Sequence, residues 1–459
     1  MTTGSTSTGL TSTHSRGAGE QVRPTASGTA EHYLADQLVV ASGYEDVVIK
    51  ALLDLGAAPS RIERDSRLRL SLLDLDATAA LAGLQRNARD ESPGGPIATA
   101  LAAGVEAAAE GGYEVSALDL TMRGLRAGFA HRFAGWSPTI GKNRVLGHVT
   151  GQYVIDGGGG STPGPLPGSY VIDGGGGGRP LDLGTDGSAS RVVPRDTRST
   201  NGARIGLVDT RLYPHPWLTG GYTTAPRNTL ELRPDVAWQA GHATFITGLL
   251  LRQAPDAVVL HRGGLDDQAT ADSWTIARTI ADLSDSGAQL VNLSLGCYTD
   301  DGQPPLVLTA ALNSLGPDVL VVVAAGNHGA VAGGRRPLWP AACDDVVAVG
   351  AVDASLATTA QFSPDVQWID ALAQGVDVVS TYPYGDFAGA GSFDNGFARW
   401  EGTSFAAAAV TGEIAAHLEP GVRGAREAWD RVRAESKTIE VDGVERPVIQ
   451  LRSLGTPWD

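Results

Sequence analysis

The chain has 459 residues with 42% hydrophobic and 19% charged, room for two or three domains with buried cores. Its formal charge of −16, from 35 basic and 51 acidic residues, argues against non-specific binding to nucleic acid or to an anionic membrane. Two cysteines, Cys297 and Cys343, exclude a disulfide-stapled scaffold, and their pairing is not expected in a reducing compartment.

Residues 1–30 are rich in Ser, Thr and Gly and read as a disordered tail. They lack the continuous apolar stretch of a secretory signal, and no later window reaches the length of a membrane span. A cytoplasmic protein is the resulting expectation. Residues 31–125 read as a small α+β domain. Gln37–Ala41 is a strand, and Glu45–Leu55 carries Val47, Val48, Ala51, Leu52 and Leu55 at helical spacing, ended by Gly56. Arg61–Arg64 and Leu68–Leu72 are short strands, the second alternating Leu68, Leu70 and Leu72. Ala77–Leu84 and Ile97–Ala109 are helices, and Tyr113–Leu120 is read as the closing strand. The order is ferredoxin-like with one helix to spare.

Residues 126–200 read as a linker. Tyr153-Val154-Ile155-Asp156 and four glycines recur 17 residues later as Tyr170-Val171-Ile172-Asp173 and five glycines. Two copies are too few for a solenoid, so the segment reads as a duplicated tether, with the two YVID segments as docking or processing sites in the sharper reading.

From residue 201 to residue 459 short β-branched runs alternate with helices. Arg204–Asp209, Ala257–His261, Gln289–Ser294, Val319–Ala325, Val346–Val352 and Val376–Ser380 are strands. Gly241–Arg252, Asp272–Ser286 and Thr403–Leu418 are helices, followed by a helix near Arg423–Ala434 and a hairpin turning at Asp442-Gly443. Such alternation predicts an α/β unit with a mostly parallel sheet covered by helices, whose chemistry sits at the C-terminal strand ends.

Four segments place reactive side chains at such ends. Asp209 closes a buried strand, His242 opens a helix, Asn327 follows Val322-Val323-Ala324-Ala325-Gly326, and Ser404 opens the Ala-rich helix. Taken singly, each residue type is an ordinary turn or cap former. Taken together, they supply a nucleophile, a base, a carboxylate to orient the base, and an amide for a developing oxyanion. The order Asp…His…Asn…Ser, at separations of 33, 85 and 77 residues, resembles the subtilisin-like serine proteases (subtilases, peptidase family S8).

That resemblance covers roughly Ala203–Leu418 and implies an endopeptidase. Ser404 would be its nucleophile, His242 its general acid–base and Asp209 the orienting carboxylate, with Asn327 in the oxyanion hole. It also implies that Ser294-Leu295-Gly296, with Ala325 and Gly326, binds a protein or peptide substrate as an added strand. Arg211, Ala243 and Ala408 stand where the family pattern has Gly, Gly and Pro. Arg211 matters most, because a glycine there often marks a left-handed backbone. A pseudoprotease that only binds peptides is the alternative reading.

Other polar residues read as structural. His328 is taken as a rim residue of the cleft, and His215, His261 and His417 as structural or surface residues. Cys297 is read as an inert thiol beside the cleft and Cys343 as a core residue. Calcium is common among the relatives, yet no run of carboxylates here has loop-ligand spacing. Asp300-Asp301 and Asp344-Asp345 read as solvated pairs, so neither metal nor cofactor is expected. The resemblance further implies that residues 31–125 are a propeptide-like inhibitor of the cleft; a separate recognition domain on a flexible tether is the alternative reading.

Overall fold

The computed structural model describes residues 20–24, 30–90, 94–110, 115–148, 181–182, 202–233, 235–330, 334–387, 390–419 and 421–452. Both YVID segments lie outside them. The N-terminal part runs β1 (Glu20–Pro24), β2 (Ala30–Ala41), α1 (Glu45–Asp54), β3 (Arg61–Asp65), β4 (Leu70–Asp74), α2 (Ala77–Asp90), α3 (Pro96–Glu110), α4 (Ala117–Arg132) and β5 (Ile140–His148). The strands lie in the order β5-β2-β4-β3, each antiparallel to its neighbour, with β1 on β2. This is the expected ferredoxin-like arrangement with additional helices.

The described part of the expected closing strand, from Val115 to Leu120, is not a strand. Ser116 accepts a hydrogen bond from the Asp119 amide at 3.1 Å, capping α4, and the chain stays helical to Arg132. This helix crosses the expected boundary at residue 125. The sheet closes with β5, within the stretch read as linker. Two adjacent carboxylates stabilise its polar sequence: Lys142 pairs with Glu31 at 2.8 Å and Asp119 at 2.7 Å, and Arg144 pairs with Glu31 at 2.6 Å. All four side chains are buried, so their charges need these partners.

The second part runs β6 (Leu181–Asp182), β7 (Arg204–Asp209), β8 (Tyr222–Thr223), α5 (His242–Gln253), β9 (Val258–Gly263), β10 (Thr270–Asp272), α6 (Ser273–Ala281), β11 (Leu290–Leu293), β12 (Leu295–Gly296), α7 (Leu306–Ser314), β13 (Leu320–Ala324) and β14 (Val346–Val352). It continues through β15 (Ala371–Gln374), β16 (Val378–Thr381), β17 (Gly385–Phe387), β18 (Gly391–Phe393), β19 (Phe397–Trp400), α8 (Thr403–His417), α9 (Ala425–Glu435), β20 (Lys437–Val441) and β21 (Val444–Ile449). The main sheet has the order β20-β21-β15-β14-β13-β11-β7-β9-β8 and is parallel throughout except for the hairpin β20–β21. The strand read at Val376–Ser380 is not part of it: β16 pairs antiparallel with β19 in a separate three-stranded sheet.

Period-2 alternation sorts the two faces of the main sheet. Ile205, Leu207, Leu290 and Val322 pack with α5 and α8, whereas Val208, Val291, Val321 and Val323 pack with α6 and α7. The N-terminal sheet uses the same period to serve two partners. Leu38, Val40 and Leu73 face its own helices, while Val39, Leu70 and Leu72 join the core around α6 and α7. The two parts therefore share a continuous apolar core.

Candidate active site

Asp209 is the last residue of β7 and His242 the first of α5. Thr210 joins these ends: its hydroxyl donates to the Ala240 carbonyl at 3.2 Å and accepts from the Ala243 amide at 3.1 Å. The Asp209 carboxylate thereby meets His242 Nδ1 at 2.8 and 2.9 Å, with both side chains fully buried. Trp400 stands edge-on to the imidazole at 5.7 Å and Phe405 lies tilted at the same distance. These rings exclude water, which strengthens the Asp–His interaction.

Ser404 is the second residue of α8, a helix buried over almost its whole length. Its alanines let the helix thread the interior against the sheet. Ser404 Oγ is buried and makes no hydrogen bond, and the Ser404 N–H lies in the first turn, where the helix dipole is positive. Asn327 is brought to this end of α8 by its own Oδ1, which accepts from the Thr403 amide at 2.9 Å and the Thr403 hydroxyl at 3.0 Å. With Oδ1 held this way, Nδ2 is the donor side of the amide. It lies 3.2 Å from the position a Cβ on Gly402 would take, and Gly402 has φ +155°. The Thr403 hydroxyl also accepts from the Gly326 amide at 3.1 Å. Thr403, Thr210, Trp400 and Phe405 were not singled out by sequence, although Thr210 adjoins Asp209 and Thr403 and Phe405 flank Ser404.

The departures from the family pattern are absorbed locally. Among the described residues the left-handed non-glycine positions are Arg69, Ala134, Ala269, Leu356, Asp377 and Asp442, so Arg211 needs no such backbone. Its guanidinium instead grips the Asp267 carboxylate, with contacts of 2.5 to 3.0 Å. Ala243 and Ala408 sit buried inside helices, where alanine is favoured.

Ser294 and Ala325 are buried beside the site. Ser294 Oγ donates to the Ser404 carbonyl at 3.5 Å, and the Ala325 amide donates to Val349 at 2.9 Å. Leu295 and Gly296 form β12, whose edge carries a strand of the same chain. His148 and Gly147 of β5 pair antiparallel with Leu295 and Gly296, and Gly147, Leu146 and Val145 pair with Thr270, Ala271 and Asp272 of β10. The helix expected over Asp272–Ser286 thus begins one residue later, with Asp272 as its cap and the end of β10.

His328 is not a rim residue. It is fully buried, its Nε2 lies 3.3 Å from the Arg336 carbonyl, and burial lowers its pKa to about 4. His261 is equally buried. It donates from Nε2 to the Thr210 carbonyl at 2.8 Å and faces the Thr224 hydroxyl through Nδ1, which steadies the strand end carrying Asp209. Burial pushes the Cys297 thiol up to about 12, which makes it a poor nucleophile. Cys343 is only half-buried, and both thiols are free. Asp300, Asp301, Asp344 and Asp345 are exposed, and among the described residues no group of three His, Cys, Asp or Glu side chains is placed to hold a metal ion. Among them, too, no helix is long and apolar enough to cross a membrane.

A central parallel sheet, a buried Asp–His pair and a serine opening an interior helix define a class in which the comparisons agree. The Peptidase_S8 model, described as the subtilase family, matches residues 200–433, and the chain belongs to that family. The thermophilic serine proteinase of Bacillus sp. (strain AK1) is 33% identical over 230 residues, 47% of this chain and 52% of that protein. Subtilisin Savinase of Lederbergia lenta is 30% identical over 227 residues, 47% of this chain and 76% of that protein. An alkaline protease of Alkalihalobacillus alcalophilus matches at 30% over 53% of its length, so the chain spans about half of the first and third of these relatives. A solved lanthipeptide protease is 23% identical with a TM-score of 0.46, covering 54% of this chain and 85% of that one.

Proposed function

We propose that the chain is a serine endopeptidase that works through Asp209, His242 and Ser404, with Asn327 in its oxyanion hole, and that its N-terminal domain holds it in check. The observation that carries the reading is the buried Asp209–His242 pair beside the N-terminus of α8, where Ser404 and the Asn327 amide meet. Ser404 Oγ attacks the scissile carbonyl carbon while His242 Nε2 takes its proton. The negative charge that forms on the carbonyl oxygen is received by the Asn327 amide and the Ser404 N–H. His242 then returns the proton to the departing amine, leaving an acyl-enzyme that water cleaves by the same relay. Asp209 stays ionised throughout and stabilises the imidazolium.

Regulation by the N-terminal domain is supported by β5, which lies on the edge of β12 and β10 where a substrate strand would pair. A protein substrate must displace it. The tether keeps the displaced strand at high effective concentration, so the closed form dominates until the domain is released.

A fluorophosphonate probe tests both statements. The intact chain should label slowly at Ser404, Ser404→Ala should not label at all, and opening the tether should accelerate labelling. Labelling that persists in Ser404→Ala overturns the assignment of the nucleophile. Absence of labelling in every form leaves a peptide-binding module as the function.

A further inference from the structure

Asn327 binds the oxyanion in the reading above, on which this inference rests. The carbon bearing the side chain before the cut is one bond from that carbonyl. In that reading, with the substrate strand paired along β12, its side chain enters beside Gly326, the residue preceding Asn327, and β12 is the facing wall. Both walls present bare backbone, at Gly326 (φ +105°) and at Gly296.

The gap between them is already filled. A Cβ on Gly296 would lie 2.8 Å from Leu338 Cγ and 3.0 Å from its Cδ2, and a Cβ on Gly326 would lie 2.9 Å from the same Cδ2. A single leucine thus touches both walls. His328 closes the side, with Nδ1 2.5 Å and Cε1 2.7 Å from the Gly326 position. His328 Nδ1 is buried and has no hydrogen-bond partner.

Leu338 cannot swing away with its loop. The Trp339 amide and carbonyl are both bonded to Cys297, each at 2.9 Å, and the Leu338 carbonyl accepts from Ala342 at 2.9 Å. Its side chain is fully buried. The imidazole beside it is neutral near pH 7, since burial lowers its pKa to about 4. A close-packed apolar floor does not yield to a larger group without strain, and it does not compensate a buried charge.

We infer that Leu338 and His328 floor the slot between Gly296 and Gly326 and restrict the residue before the cut to a small, uncharged side chain of alanine's size class. Leu338 sets the depth and His328 closes one side.

The test uses the intact chain and two peptidyl diphenyl phosphonates, Ala-Ala-Pro-Ala and Ala-Ala-Pro-Phe analogues. Ser404 Oγ forms a bond to phosphorus, one phenoxide leaves, and the serine proton passes through His242 to give phenol. Loss of subsequent fluorophosphonate labelling gives each rate constant. Both reagents need β5 to leave β12, so the opening equilibrium cancels in their ratio. The alanine reagent should react at least ~10-fold faster, the discrimination typical of an apolar pocket of fixed size. Leu338→Gly should move the ratio toward phenylalanine by at least ~10-fold; if that variant does not fold, Leu338→Ala gives the same readout. An equal or faster phenylalanine reagent with the wild-type chain overturns this inference alone. Failure of every reagent at Ser404, the fluorophosphonate included, overturns the peptidase reading and this inference with it.

Discussion

Replacing Asn143 by leucine removes a buried polar link between the N-terminal domain and the body it covers, and leaves the more exposed ion pairs Arg67–Asp282 and Arg278–Asp65 in place. Asn143 lies in β5 with its side chain buried. Its Nδ2 donates to Asp272 at 3.0 Å, and its Oδ1 accepts from the Ser273 hydroxyl and the Trp274 amide, both at 2.9 Å. These three bonds reach Asp272 at the end of β10 and the first two residues of α6, so they hold β5 against the edge it occupies. Leucine fills a similar volume and makes none of them. It leaves the Trp274 N–H without this acceptor while the domain is docked, whereas water satisfies that group once the domain leaves. At about 1 kcal/mol net for each bond the docked form loses roughly 3 kcal/mol. At 1.4 kcal/mol per decade, this raises the open fraction about 100-fold. When opening limits access to Ser404, the rate of fluorophosphonate labelling rises by the same factor. The assay compares labelling rates of wild type and Asn143→Leu, with circular dichroism confirming that both are folded. A folded variant that labels at the wild-type rate would refute the argument, because β5 would then not be what withholds the site.

Asn327→Leu should lower kcat by about 10²–10³-fold with little change in KM, since the amide acts on charge that exists only in the transition state; steady-state kinetics with the tether opened would show a rise in KM at constant kcat if Asn327 only lines the pocket. Stability should fall in acid. His215, His261 and His328 each titrate near 4 in the folded chain because of burial, against 6.5 when unfolded. Between those values the unfolded chain binds more protons, so the stability contributed by these three residues is complete above about pH 6.5 and declines as the pH falls toward 4. Urea unfolding at pH 7 and pH 4.5 measures this, and equal midpoints would contradict it.

The elements that carry Asp209, His242, Asn327 and Ser404 were legible in the sequence for a local reason. A fully buried parallel strand reads as a short apolar run, and an interior helix reads as a run of small residues. The catalytic roles proposed for them rest on four residue types in one order, which needs no contact map. The first strands and helices of the N-terminal domain were legible likewise, because strand and helix periods are set by residues a few positions apart. The strand read at Leu68–Leu72 is shifted, since Leu68 lies in the turn closed by left-handed Arg69 and β4 begins at Leu70. The use of the strand period was not legible. Leu70 and Leu72 are buried against α6 and α7 rather than against their own domain's helices, and a sequence does not say which partner covers an apolar face.

Tertiary structure alone decided the rest. Tyr113–Leu120 alternates well enough to read as a strand, but Ser116 caps a helix whose Asp119 pairs with Lys142, far along the chain. β5 carries Lys142, Asn143 and Arg144, a polar run that resembles a linker until Glu31, Asp119 and Asp272 compensate it. His328 looks like a rim residue beside Asn327 until the Arg336–Leu338 loop folds over it. In each case the deciding partner lies in another element, and burying a charged or polar group is possible only once that partner is in place. Local periodicity reports which faces are apolar. It carries no information on which distant carboxylate, amide or strand edge will meet them.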